Sequence, residues 1–148
     1  MYFRICLGSD HAGFEIKDYI KSYLQNQTEH KLDINDLGCY SEDRVDYPDF
    51  AHKVASQISE GKADLGILVC GSGNGISMAA NKWEDIRCAL CWNSEITEMA
   101  RLHNDANILS LPGRYITKKE AIEFVEIFLN TGFEGGRHSD RISKIKKY

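Results

Sequence analysis

The run Leu65-Gly-Ile-Leu-Val-Cys70 constrains this chain more than any other segment, because it is apolar throughout and is closed at once by Gly71-Ser-Gly-Asn-Gly75. Such a run is too short for a helix and carries no polar face, so it reads as a strand buried on both sides at the centre of a parallel sheet. The rest of the chain fits around it. Tyr2–Leu7, Lys31–Leu37, Arg87–Trp92 and Asn107–Leu111 read as four further strands. Helical patterns lie between them. The stretch His11–Gln25 places Phe14, Ile16, Tyr19, Ile20, Tyr23 and Leu24 at helical spacing. Pro48 suits a first helical turn, and Phe50, Ala51, Val54, Ala55 and Ile58 continue that helix toward Gly61. Further helices are expected over Ile76–Trp83, after the N-capping pair Asn93-Ser94, and from the capping box Thr117-Lys-Lys-Glu120 through Leu129. Ile142 and Ile145, three apart beyond Gly135-Gly136, predict a short docked helix. Five strands alternating with helices predict an α/β doubly wound sheet, and with no internal repeat or linker the whole span 1–148 reads as one domain.

Composition narrows the function classes. The formal charge of −4 argues against a general nucleic-acid binder. No apolar stretch reaches eighteen residues, so no membrane-spanning helix is expected. The N-terminus turns polar at Ser9-Asp10, too early for a secretory signal, and a cytoplasmic location is the expectation. Five cysteines, an odd number, do not suggest a disulfide framework. Cys88-Ala-Leu-Cys91 has the spacing of a metal or redox pair, but residues three apart on a strand face opposite ways, so no metal is expected there. The tail from Arg137 to Tyr148 is basic, with two Arg, three Lys and one Asp. It is either a solvated helix end or a holder of an anionic ligand.

In a doubly wound sheet, ligands bind beyond the carboxyl ends of the strands. The chemistry-bearing residues fall there: Ser9-Asp10-His11, Cys70–Gly75, Asn93-Ser94 and Gly113-Arg114. The glycines of Cys70-Gly71-Ser72-Gly73-Asn74-Gly75 let backbone amides turn toward a bound oxygen at a helix N-terminus. The loop matches neither the dinucleotide fingerprint nor the P-loop, and a plain strand–helix turn is the alternative. Cys70 beside that helix start is expected to have its thiol pKa lowered, though a strand-end cysteine is also a common inert core residue. Asp10 is a helix cap or a ligand contact, and His11 a surface or a functional imidazole. His103-Asn104 pairs a general acid–base candidate with a polar neighbour at a helix end; the structural alternative is a C-cap. Arg114, Arg137 and Arg141 are guanidinium groups suited to clamping phosphate.

Together these residues resemble the ribose-5-phosphate isomerase B family, which also includes galactose-6-phosphate isomerase subunits and allose-6-phosphate isomerases. The resemblance runs along the whole chain. Its carriers are Gly8-Ser-Asp-His11, Gly13-Phe14, Asp46-Tyr-Pro48, Cys70-Gly-Ser-Gly-Asn-Gly-Ile-Ser77 and Ala79-Ala-Asn-Lys82. Arg87, His103-Asn-Asp-Ala-Asn107, Gly113-Arg114, Glu134-Gly-Gly-Arg-His138 and Arg141 follow in order. The family implies a Rossmann-like αβα sandwich around a five-stranded parallel sheet, no metal or organic cofactor, and a homodimer, in some members a dimer of dimers. It implies an active site shared between subunits, with His103, Asn104 and Arg114 from one chain and Asp10, His11, Tyr47, Cys70 and both tail arginines from the other.

The resemblance also implies a reaction. A sugar phosphate such as ribose 5-phosphate is opened by His103. Cys70 then moves the proton between adjacent carbons through an enediolate, stabilised by the Gly71–Gly75 amides. Ser72 helps move hydroxyl protons, Asp10 and Asn104 hold hydroxyls, and His11, Arg114, Arg137 and Arg141 hold the phosphate. Some members use a Glu after the Gly-Asn-Gly turn as base; here that position is Ile76. His103 favours ribose 5-phosphate over the galactose-6-phosphate case. A six-carbon substrate such as allose 6-phosphate, or a non-catalytic sugar-phosphate module, are the other readings. Pro112 departs from the family pattern and is expected to displace Arg114 slightly.

Overall fold

The structure, a computed structural model, describes residues 1–146; Lys147 and Tyr148 of the basic tail lie outside the described residues. Five strands alternate with helices: β1 (Tyr2–Ser9), α1 (Phe14–Asn26), β2 (Lys31–Asp36), α2 (Tyr47–Ser59), β3 (Leu65–Cys70), α3 (Asn74–Ala80), β4 (Cys88–Leu90), α4 (Ser94–Leu102), β5 (Ile108–Pro112), α5 (Lys118–Asn130) and α6 (Arg137–Ser143). The sheet is parallel, in the order β2-β1-β3-β5-β4. The expected αβα sandwich is present. The central run Leu65–Cys70 is buried at every position. Its one gap in side-chain volume, Gly66, has a cause: a Cβ there would lie 2.6 Å from Val54 Cγ1, so α2 packs directly on the backbone.

Strand alternation sorts the core into two layers. Ile5 and Leu7 join Ile16, Ile20, Leu24, Phe124 and Phe128 under α1, α4 and α5. Cys6 and Leu68 join Ala51, Val54, Ile76 and Ala80 under α2 and α3. Cys91 belongs to the first layer and Cys88 packs against the second, so the two thiols do face opposite ways. Burial raises both pKa values, that of Cys91 to about 11, as expected of inert core thiols.

Element ends differ from the expectation where loop chemistry takes over. The first helix begins at Phe14, not His11, because Asp10–Gly13 forms a turn in which the Gly13 amide donates to Asp10 Oδ1 at 3.0 Å. The third helix starts two residues early, at Asn74. The fourth strand shrinks to three residues. Asn93 and the Thr117–Glu120 box cap their helices as expected. The tail helix buries His138 rather than an isoleucine: Ile142 is half-buried, and Ile145 falls beyond the helix end and is exposed.

A buried ion pair joins α1 to the end of β2. Lys17 Nζ donates to Asp36 Oδ1 and Oδ2 at 2.7 and 2.8 Å, and the Gly38 amide donates to Oδ1 at 2.9 Å. Burial pushes the Asp36 carboxyl up, but the bonds from Lys17, the Gly38 amide and Lys21 outweigh it and hold the pKa below its ordinary value. The folded chain therefore binds this proton less readily than the unfolded chain. The pair's contribution is complete above the ordinary carboxylate range and is lost as pH falls through the depressed folded value. Lys17→Met is expected to destabilise the fold by roughly 3 kcal/mol at neutral pH. Urea unfolding reads the difference, which should shrink below about pH 4; a difference of equal size in acid would remove the ion pair as its cause.

Candidate active site

Three loops meet above the carboxyl ends of β1, β3 and β5. The first crosses β3 so closely that a Cβ on Gly13 would lie 2.2 Å from the Val69 carbonyl oxygen. That contact seats Asp10, which is 7% exposed, next to the Cys70 loop. From β5, the Gly113 amide donates to the Cys70 carbonyl at 2.8 Å and the Arg114 amide to the Gly71 carbonyl at 3.0 Å. The Arg114 guanidinium lies over Gly71, where a Cβ would come within 3.0 Å of Nη1. Pro112 therefore leaves Arg114 tied to the loop. Tyr47, at the start of α2, lays its ring on Gly75, where a Cβ would meet it at 2.5 Å. His11 Nδ1 sits 3.2 Å from the Val45 carbonyl, which tethers His11 to the segment leading into Tyr47.

The loop itself is rigidly held. Gly73 adopts φ 75°, a left-handed value, and a Cβ there would lie 2.5 Å from Leu90 Cδ1. Its carbonyl accepts the hydroxyl of the fully buried Ser110 at 2.8 Å. The sequence reading missed Ser110; its signal was one hydroxyl inside the apolar run of β5. The Asn74 amide donates to Ser72 Oγ at 3.2 Å, and the Ser77 hydroxyl to the Asn74 carbonyl at 2.8 Å.

Cys70 ends β3 at 4% exposure. Burial raises its pKa above the ordinary thiol value, and the Asp10 charge adds to the rise. The amides of Ile76, Gly73 and Ser72 act in the opposite sense without prevailing. The expected lowering is thus corrected: burial outweighs the loop amides and the shift is upward.

His103, Asn104, Arg137 and Arg141 lie elsewhere. The α4 helix leaves the carboxyl edge after β4 and runs back, so His103 caps it just before β5 begins at Ile108. In the β3–β5 register Ile108 pairs with Gly66 and Pro112 with Cys70. Four residues of strand, roughly 13 Å, separate those two ends. His103 therefore lies off the amino edge of the sheet and Cys70 off the carboxyl edge. A proton-transfer pair on one substrate needs hydrogen-bond reach, which one chain does not provide.

The tail joins the His103 end: His138 of α6 stacks on His103, ring centroids 4.2 Å apart. This corrects the expected partition in two places. Arg114 groups with Cys70, and the tail arginines group with His103. Both tail arginines are exposed, as is Asn104, whose carbonyl accepts from Arg87 Nε at 2.9 Å.

The model of the family described as Ribose/Galactose Isomerase matches residues 5–145. The chain belongs to that family. Among relatives in the Ribose/Galactose Isomerase family, a putative sugar phosphate isomerase of Rickettsia conorii is 46% identical over 144 residues, 97% of this chain and 98% of that protein. The crystal structure of a ribose 5-phosphate isomerase from Thermotoga maritima superposes with a TM-score of 0.94 at 48% identity, covering 99% of each chain. That of ribose-5-phosphate isomerase B from Mycoplasma genitalium with bound ribulose-5-phosphate superposes with a TM-score of 0.88 at 41% identity, covering 97% of this chain and 93% of that one. The α/β fold described above is the fold of these isomerase structures. No helix among the described residues is long and apolar enough to cross a membrane.

Proposed function

We propose that this chain interconverts ribose 5-phosphate and ribulose 5-phosphate, at a site built from the Cys70 end of one copy and the His103 end of another. The observation that carries the shared site is the placement of Cys70 and His103 off opposite edges of one sheet. Relatives along the full chain named ribose 5-phosphate isomerase, one of them holding ribulose-5-phosphate, support the substrate. An apolar groove beside the short edge strand β4, lined by Trp83, Leu90, Trp92, Ile96 and Met99, suits coverage by a second copy. Five free cysteines suit a reducing compartment such as the cytoplasm.

Chemistry follows from the two halves. His103 of the second copy opens the furanose ring by general acid–base catalysis. Cys70 takes the proton from the carbon beside the carbonyl and returns it to the neighbouring carbon. The enediolate oxygen then meets amides of Gly71–Gly75, held in place by Gly73 and Ser110 before the reaction starts. Ser72 relays hydroxyl protons, while Asp10, Tyr47 and the second copy's Asn104 hold the sugar. His11 and Arg114 meet the phosphate from one side, and Arg137 and Arg141 of the second copy from the other.

The test is kcat/KM on ribose 5-phosphate and on allose 6-phosphate, each followed across pH. The five-carbon substrate is expected to win; a strong preference for allose 6-phosphate overturns the substrate assignment. Since kcat/KM reports the free enzyme, the raised Cys70 thiol predicts a rate still climbing through the ordinary thiol range, about 8.5. A plateau already reached below neutrality would mean the base is not this thiol.

A further inference from the structure

Behind His103 stand two groups that the isomerase chemistry leaves idle, Glu134 and His138. Gly135 and Gly136 both take positive φ, 76° and 59°, and turn the chain so that residues on either side of them face one point. The Glu134 amide donates to the Leu102 carbonyl at 3.0 Å, which seats its carboxylate at the end of α4. Glu134 Oε2 lies 3.7 Å from His103 Nε2 and 4.0 Å from His138 Nε2. All three potential ligand atoms fall within 4.8 Å of one another. A second, independent feature points the same way. His138 is 4% exposed, and its Nε2 has no hydrogen-bond partner. A buried polar nitrogen left unmatched is costly, and native folds rarely keep one without a use.

We propose that His103, Glu134 and His138 bind a divalent transition-metal ion of the zinc type, and that the ion inhibits the enzyme by occupying His103. Two imidazole nitrogens and one carboxylate oxygen form a three-ligand zinc set with a fourth position open to water. The two rings are stacked with only 12° between their planes, and each lone pair lies in its own ring plane. One ion therefore serves both only after one ring turns. His138 is locked by burial, whereas the His103 side chain is 37% exposed and is the ring that rotates. Rotation removes it from the position that opens the sugar ring, so metal and sugar phosphate compete.

The inhibition clause rests on the proposed isomerase activity; the site itself does not, so the experiment has two arms. In the first, the full chain is titrated with cobalt(II) alone and followed by visible absorption. One equivalent per chain should bind with ligand-field bands of a nitrogen–oxygen site, and Glu134→Gln and His138→Asn should each weaken binding about tenfold or more. Thiolate-to-cobalt charge-transfer bands, or unchanged binding in Glu134→Gln, overturn the site. That variant, at an exposed position, keeps the test open should His138→Asn fail to fold. In the second arm, zinc should inhibit isomerisation competitively with sugar phosphate. Glu134→Gln should need about tenfold more zinc for half-inhibition, measured against that variant's own zinc-free rate. Zinc sensitivity identical to the parent's overturns the inhibitory role. A chain without isomerase activity would sink the proposed function and leave the cobalt arm to decide the site.

Discussion

Replacing Cys70 by alanine is expected to lower kcat for isomerisation by roughly a thousandfold, the range over which a positioned acid–base group acts, while sugar-phosphate binding persists. The substitution removes one sulfur from the end of β3 and leaves the surrounding ties in place: Gly113 to the Cys70 carbonyl, Arg114 to Gly71, Ser110 to Gly73. The anion-facing amides and the phosphate-facing guanidinium thus keep their positions. Single-turnover kinetics together with calorimetric titration of ribose 5-phosphate separate the two effects. Retained turnover would remove Cys70 as the base. Loss of binding in step with turnover would mean that the sulfur holds the loop in shape rather than moving the proton.

A second result is expected to be as large in the opposite direction. Chains carrying Cys70→Ala and chains carrying His103→Asn should each be inactive alone, and refolding them together should restore activity. Random pairing makes half the pairs mixed. Each mixed pair has one site combining the intact Cys70 with the intact His103 and one site lacking both, so about a quarter of the parent activity returns. Sites complete within one chain would give no recovery. The measurement therefore tests directly whether the opposite ends of the sheet come from different copies.

Much of this could be read from residue order. The apolar run ending at Cys70 marked the central strand because only a strand buried on both faces needs no polar side. The glycines after it marked the site because backbone must approach both Tyr47 and Leu90 without a Cβ between. The separation of His103 from Cys70 was legible through the family resemblance, and topology accounts for it, since a helix that follows a parallel strand returns to the opposite edge; the partition was misread only for Arg114 and the two tail arginines. Arg114, two residues past the carboxyl end of β5 at Pro112, stays with Cys70, whose partner in the register is Pro112. The direction of the Cys70 shift was hidden because the loop amides are visible in sequence, whereas burial and the approach of Asp10 depend on a crossing made by Gly13. Glu134 and His138 were quoted only as part of a motif; their convergence on His103 depends on two consecutive left-handed glycines.

The close approach of Gly13 to Val69 has a thermodynamic consequence for ligand capture. The floor of the Cys70 half is backbone laid on backbone, so little of it has rotamers left to freeze when a ligand arrives. Its share of the ordering entropy was met when the chain folded. Arg137 and Arg141 are the opposite case: long, exposed side chains on a seven-residue helix, each with about 2 kcal/mol of rotamer freedom to lose. The backbone floor of the site is thus stiff from the outset, whereas the proposed phosphate grip, exposed Arg114 included, tightens only around its ligand. Discrimination by shape then belongs to the stiff floor, and the rate of product escape to the loose grip.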